Sequence, residues 1–370
     1  MSFNKINGPI FEARGNNLTV VDNALPEMLH LIDAYWYQFP PMNSLWYGII
    51  GFVMTCFGIV SLSGNFIVIL VFTTERALRT PSNLYVVNLA VSDFMMMLTM
   101  FPPVVLNCYY ETWVLGPFMC EIYAMCGSLF GCVSIYSMMM IAFDRYNVIV
   151  KGIAGTPLTT GGAVLRIFLI WLFCLFWTVA PMLGWNRYVP EGNMTACGTD
   201  YFTQTWLSRS YILAYSSFVY FLPLFTICYS YYFIIRTVSE HEKAMREQAK
   251  KMNVASLRSG EDKNKAVEFK LAKVALITIS LWFMAWTPYL VINYAGIFGS
   301  LKLTPLTTIW GSIFAKANAI YNPIVYGISH PKYQAALYKK FPCLSCQHGG
   351  GDHASDSTSQ VTEAEKQTQA

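Results

Sequence analysis

Charged side chains are scarce in this chain. Asp, Glu, Lys and Arg make up 12% of its 370 residues, whereas 55% are hydrophobic. An ordinary soluble domain carries roughly twice that charged fraction. The apolar residues also fall in blocks that reach the length of about 20 needed to cross a bilayer, which excludes a soluble globular class. Aromatics interleaved with cations, as on a nucleic-acid surface, are missing too. The cations Lys243, Arg246, Lys250, Lys251, Arg258, Lys263, Lys265, Lys270 and Lys273 crowd one inter-helix loop and read as a solvated cytoplasmic face; no nucleic-acid partner is expected. Residues 1–40 lack a charged n-region followed by a short apolar core, so no cleavable signal peptide is expected and the first span directs insertion. No internal repeat of the transporter kind is present.

Apolar blocks fall at about 46–73, 82–106, 117–149, 163–183, 210–236, 268–298 and 303–327. An odd number of spans puts the termini on opposite sides. Cations gather between the fifth and sixth blocks and after the seventh, which places the N-terminus outside and the C-terminus inside. The pattern predicts an all-α membrane protein, a seven-helix bundle with a short amphipathic eighth helix. It divides into an extracellular segment over 1–45, the bundle over 46–327, the amphipathic helix and a lipid-anchor region over 328–346, and a disordered cytoplasmic tail over 347–370. Asn17-Leu18-Thr19 is a glycosylation acceptor suited to an outside terminus. A second acceptor, Asn193-Met194-Thr195, sits near Cys197 in a loop expected to fold inward, where a glycan has no room.

Ten cysteines do not make a disulfide framework here. Cys56, Cys108, Cys126, Cys132, Cys174 and Cys228 lie in or beside apolar blocks and read as small core residues. Cys120 and Cys197 lie on the outer side, where oxidising conditions suit one bridge that would pin the outer loop over the bundle. Cys343 and Cys346 follow the amphipathic helix at the membrane surface and suit palmitoylation. With His348 and His353 they leave a Cys–His gap too short for the usual zinc site.

Lys316 is the most informative residue. It lies about halfway through the last apolar block, too deep to reach either surface. A lysine at that depth costs about 2.5–3.5 kcal/mol on insertion scales. Taken alone it is either a neutral or acid-paired structural lysine or an amine poised to form an imine with an aldehyde, because burial favours the neutral nucleophile. Other spans carry their own signatures. Asn65 sits in the first block and Asp93 in the second, within Asn88-Leu89-Ala90-Val91-Ser92-Asp93. Asp144-Arg145-Tyr146 closes the third, Trp286-Thr287-Pro288 bends the sixth, and Asn322-Pro323-Ile324-Val325-Tyr326 closes the seventh.

In that order, over about residues 46–346, the chain resembles rhodopsin-like G-protein-coupled receptors, and specifically opsins of the arthropod visual, Gq-coupled type. Lys316, six residues before Asn322, holds the place of the retinal lysine. His330-Pro331-Lys332 and the long fifth-to-sixth loop with His241-Glu242-Lys243-Ala244-Met245-Arg246 are similar to those of invertebrate opsins. The resemblance implies 11-cis retinal as cofactor, held as a protonated imine on Lys316. Vertebrate opsins neutralise that charge with a Glu three residues after the third-helix cysteine. That place is Tyr123 here, so the expected counterion is the loop acid Glu191, with Tyr123 as a polar neighbour. A pair about 4 Å apart at an effective dielectric near 20 gains about 4 kcal/mol. Trp286 and Tyr289 should line the chromophore pocket. Arg145 should pair with Asp144 and Glu268 at rest, with Tyr231 and Tyr326 steadying the active form. Asp93 and Asn65 would form the polar core. Position 282, usually Phe in the wider receptor family, is Trp. The implied partners are a heterotrimeric Gq-class G protein, a receptor kinase, arrestin and membrane lipid, in a rhabdomeric photoreceptor membrane. Ser355, Ser357, Thr358 and Ser359 are candidate phosphorylation sites for shut-off; a solubilising tail explains them equally well. Residues 94–107 lack the extra lysine of insect ultraviolet opsins, which points to visible absorption.

Three rivals share part of this pattern. A receptor for a diffusible ligand keeps the fold and the G-protein motifs. A retinal photoisomerase, an enzyme, keeps Lys316 but has no need of an intact Asp144-Arg145-Tyr146 and His330-Pro331-Lys332. A light-driven ion pump needs paired acids along the third helix, where the only acid between Cys120 and Asp144 is Glu121. The expected function is therefore a light-sensing receptor and not an enzyme.

Overall fold

A computed structural model describes residues 18–152, 155–251 and 260–342. Asn17, Arg258, Cys343, Cys346, His348, His353, Ser355, Ser357, Thr358 and Ser359 lie outside the described residues. Long helices dominate. The first four are α1 (Ser44–Thr74), α2 (Asn83–Tyr110), α3 (Gly116–Tyr146) and α4 (Thr160–Val179). A two-stranded antiparallel hairpin follows, β1 (Tyr188–Pro190) and β2 (Cys197–Thr199), with Tyr188 opposite Thr199 and Pro190 opposite Cys197. Helix α5 (Trp206–Ser216) passes through a π-helical turn into α6 (Leu222–Lys251), and together they make the fifth span. The sixth span is α7 (Gly260–Phe298), with Pro288 inside it; the seventh is α8 (Pro305–Ser329); a short α9 (Pro331–Lys340) closes the set.

Among the described residues, six helices are long and apolar enough to cross a membrane. Helix α8 has the length, at 25 residues, but Thr308, Ser312, Lys316, Asn318 and Asn322 lower its hydropathy. All five are buried, so this helix turns its polar groups inward, as intramembrane polar residues do. Helix α3 stands at the centre, packed against α2, α4, α6 and α7.

Two expectations need correction. Cys56 and Cys228 are exposed on the outer surface of the bundle, whereas Cys132 and Cys174 are buried. In a membrane helix, lipid solvates an apolar face as well as a protein core does, so an apolar side chain does not announce which way it points. The cationic stretch between the fifth and sixth spans is also less of a loop than its charge suggests. Helix α6 runs to Lys251 and α7 starts at Gly260, so Lys243, Arg246, Lys250, Lys251, Lys263, Lys265, Lys270 and Lys273 are all on helices. Strong helix formers and ion pairs one turn apart, Arg236–Glu240 at 2.9 Å and Arg246–Glu242 at 3.9 Å, favour that extension.

The outer end is sealed by the hairpin and by two 3-10 turns, Pro26–Leu31 and Ala34–Gln38. A disulfide joins Cys120 at the top of α3 to Cys197 on β2, as expected. Asn193 and Thr195 in the hairpin turn are fully enclosed, and Asn193 Nδ2 donates to Thr195 Oγ1 at 2.5 Å. At the inner end His330 caps α9, its Nδ1 accepting from the Tyr333 N–H at 3.0 Å. Burial, chiefly, pushes the His330 imidazole down to about 4, which keeps that nitrogen free to accept. Phe72 and Tyr333 stack at 5.6 Å and tie α9 to α1.

Asp200, 1% exposed, steadies the chain after β2. It takes hydrogen bonds from Arg187 Nε and Thr203 Oγ1, both at 2.6 Å. Burial alone would raise its carboxyl, but the bonds from Thr203 and Arg187 outweigh that and hold it below the usual carboxylate range. The ionised form therefore stabilises the fold above that range, and the contribution fades as pH falls through it. Replacing Asp200 by Asn should cost about 1–3 kcal/mol at pH 7. In thermal inactivation scans, the gap between Asp200→Asn and wild type should shrink below about pH 4. A gap that does not vary with pH contradicts this account.

Candidate functional site

Lys316 sits three turns into α8, 6% exposed. Its Nζ donates to Ser312 Oγ at 2.5 Å and lies 3.4 Å from the Ser312 carbonyl, one turn back on the same helix. The amine also stands 5.8 Å from the centre of the Tyr123 ring on α3. Tyr123 thus meets it with a ring face, while its buried hydroxyl has no hydrogen-bond partner.

Glu191 reaches the same place from above. It follows β1 in a tight turn, its N–H bonded to Ala196 O at 2.8 Å and its carbonyl accepting from Met194 N at 2.7 Å. The side chain is 3% exposed, and Oε2 is buried without a partner. Burial raises the Glu191 carboxyl, and the Lys316 charge with hydrogen bonds from Ser312 and Tyr289 pulls only part of the way back. Ser312 therefore serves both groups: its hydroxyl takes the lysine bond and stands within reach of the carboxylate. Gly198, across the hairpin, makes room for the arrangement. A Cβ there would fall 2.6 Å from Glu191 Oε1 and collide with the Tyr289 hydroxyl.

Lys316 and Glu191 face a cavity of about 380 Å³ also walled by Met96, Met100, Ala124, Gly127, Trp286 and Tyr289. A second chamber of about 650 Å³, between α3, α5 and α7, shares Ser128, Trp286 and Tyr289 with the first. Cys132, Tyr211, Ile212, Val219, Trp282 and Leu290 border its far end. Together they form a mostly apolar space with one amine and one acid near one end. Trp286 presses on the bare backbone of Gly131 and stacks on Trp282 at 5.5 Å and 24°. A long apolar aldehyde fits this donor set. The amine can bond it, the two unpartnered oxygens of Glu191 and Tyr123 give the head a polar lining, and the aromatics enclose the rest.

The other singled-out residues form two further clusters. In the middle of the bundle, Asp93 Oδ1 accepts from Ser134 Oγ at 3.0 Å and Oδ2 from Asn322 Nδ2 at 2.5 Å. Asn65 Nδ2 donates to Ala319 O at 2.8 Å, and Pro323 packs on Gly64. At the end of the bundle away from the hairpin, Arg145 pairs with Asp144 at 2.6 Å and with Glu268 on α7. The Tyr231 hydroxyl donates to Ala272 O, also on α7, at 2.9 Å. Tyr146 packs against Tyr229 and Phe233. Tyr326 packs between Phe72 and Tyr333, above the junction where His330, Pro331 and the exposed Lys332 begin α9. Ser312, Gly198 and the Trp282–Trp286 stack were not singled out by motif. A serine one turn before the lysine was the available signal for the first.

Known proteins are similar to this chain in sequence and fold. Residues 64–326 match the family described as the 7 transmembrane receptor (rhodopsin family). The chain is 68% identical to a rhodopsin of Cataglyphis bombycina, over 95% of this chain and 93% of that protein. It is 65% identical to the long-wavelength rhodopsin of Apis mellifera, over 96% and 97% respectively. The crystal structure of squid rhodopsin superposes with a TM-score of 0.79 at 34% identity, covering 85% of this chain and 91% of that one. The chain belongs to the rhodopsin family of seven-transmembrane receptors, among the arthropod opsins.

Proposed function

We propose that this light-sensing receptor holds 11-cis retinal through a covalent link to Lys316 and signals to a heterotrimeric G protein of the Gq class. The observation that carries the proposal is the enclosed Lys316 amine at one end of an aromatic-walled cavity, with the Glu191 carboxyl in the same chamber. Bound there, retinal supplies a light-driven cis-to-trans isomerisation and a positive charge at its linkage. Glu191 balances that charge, which would otherwise cost several kcal/mol to bury. Ser312 orients the lysine nitrogen, Tyr123 lines its other side, and Tyr289 holds Glu191. The lack of a lysine over 94–107 and the likeness to a long-wavelength rhodopsin support absorption in the visible.

Trp286 is the residue that passes motion on. Stacked on Trp282 and placed two residues before Pro288, it cannot shift without displacing α7. At its cytoplasmic end α7 carries Glu268, so outward movement opens the Arg145–Glu268 pair and exposes the cleft for the G protein. Tyr231 and Tyr326 then steady the open form, while Asp144, Tyr146 and His330-Pro331-Lys332 border it. Asp93 and Asn65 keep the polar core between pocket and cleft. This is a population shift between two packings. The Asn17 glycan, acyl chains on Cys343 and Cys346, and phosphates placed on Ser355, Ser357, Thr358 and Ser359 by a receptor kinase and read by arrestin complete the proposal, in a rhabdomeric membrane with the N-terminus outside.

Expressed protein mixed with 11-cis retinal should give a visible absorption band in the wild type and none in Lys316→Ala. A band that survives in Lys316→Ala, or never forms, ends the proposal. Glu191→Gln should keep the band but lower the acid–base midpoint of the linkage by about one to three pH units; an unmoved midpoint and spectrum remove Glu191 as counterion. Glu268 is partly exposed, so its pair with Arg145 is worth about 1 kcal/mol at most. Glu268→Gln should therefore raise dark nucleotide exchange on the G protein no more than about fivefold. No rise at all contradicts a restraining role.

A further inference from the structure

Glu191 is a wall between two spaces. Inside lies the chamber of Lys316; outside lies a smaller cavity of about 270 Å³ bordered by Trp36, Asp33, Arg187, Asp200 and Glu191 itself. Thr199, on the paired strand, likewise borders this outer cavity and the far chamber. One layer of chain, the hairpin, therefore separates the outer cavity from the amine. The outer space is walled mostly by apolar side chains, but Asp33, Arg187 and Asp200 border it and it lies close to solvent, since the Arg187 side chain is 42% exposed. Water that reached Glu191 from there would screen its attraction for the amine, and a small nucleophile would meet the linkage itself.

What closes that space is Trp36, which is not part of the bundle. It sits on the 3-10 turn Ala34–Gln38 and is 2% exposed. Its ring reaches over Gly192, the neighbour of Glu191, so closely that a Cβ at Gly192 would fall 2.5 Å from it. Phe202 meets it edge-on at 5.3 Å. The turn is fastened from the other side by the Tyr35 hydroxyl, which donates to Leu303 O at 2.8 Å just before α8.

We infer that Trp36 is a positioning residue of the light-sensing site: its indole lies over Gly192 as a lid that keeps extracellular water and small nucleophiles from Glu191 and Lys316. The inference rests on the reading of Lys316 and Glu191 given above and adds a residue that touches neither reacting atom. Hydroxylamine is the probe. Its nitrogen displaces the lysine nitrogen at the linkage carbon and passes its two N–H protons to it, giving retinal oxime and Lys316 released as its ammonium.

The full chain, reconstituted with 11-cis retinal, is followed in the dark with and without hydroxylamine, and the ratio of the two decay rates is compared. A general loosening speeds both decays; an opened lid raises the ratio. Trp36→Ala should raise it at least about tenfold, while Trp36→Phe, which keeps a ring, should stay within about threefold. Gly192→Ala, whose Cβ would press on the indole and on Thr308 Oγ1, should raise it as well. Should Trp36→Ala yield no pigment, Trp36→Leu takes its place in the comparison. Ratios at the wild-type value in Trp36→Ala (or Leu) and Gly192→Ala overturn the inference. A raised ratio beside an unmoved Glu191→Gln midpoint would keep the lid and discard the counterion. Absence of any wild-type band would discard the lid together with the light-sensing reading.

Discussion

The burial of one primary amine governs this structure. Held in mid-helix with no route to either membrane surface, Lys316 has to be bonded or compensated where it stands. The protein meets that demand from three directions. Ser312 bonds the nitrogen from the same helix, Tyr123 offers a ring face from α3, and Glu191 supplies an acid from the outer hairpin. The acid is the only one of the three on a loop, and loops hold a position only when something else fixes them.

Much of the outer architecture follows from that need. The Cys120–Cys197 bridge ties β2 to the top of the central helix, and the ladder to β1 carries the tie across to Pro190 and Glu191. Asp200 anchors the exit of the hairpin through Arg187 and Thr203. The N-terminal turns then lie over the hairpin from outside. At the other end of the molecule, the restraint is weaker: Glu268 of the Arg145–Glu268 pair is partly open to water, so the pair biases the packing without locking it. A strong seal around the amine and a soft clasp at the opposite end suit a receptor that must be quiet in the dark and yet able to switch.

The membrane class, the lysine and the switch motifs were legible in the chain because each depends on a residue type that is costly or rare in its setting. A lysine inside an apolar block, an Asp-Arg-Tyr at the end of a span and two outer cysteines are such cases. What the sequence could not show depends on direction and proximity. Cys56 and Cys228 differ from Cys132 and Cys174 only in which way their helix face turns. The helical extensions that flank residues 252–259 were masked by their charge, since a charge run is equally at home in a loop or on a solvated helix. Gly198 matters because Tyr289 and Glu191 converge on it from different elements, and Trp36 because a segment 155 positions earlier than Glu191 in the chain (191 − 36) folds back over its neighbour. No local pattern carries either fact.

The central claim is chemical, that the enclosed amine of Lys316 is the point of covalent attachment. Reduction of the dark, acid-treated pigment with borohydride, followed by proteolysis and mass mapping, tests it at the level of the bond. The account predicts a retinyl adduct on the α8 peptide at Lys316 and on no other lysine; a retinyl mass on a different peptide, or on none, would contradict it.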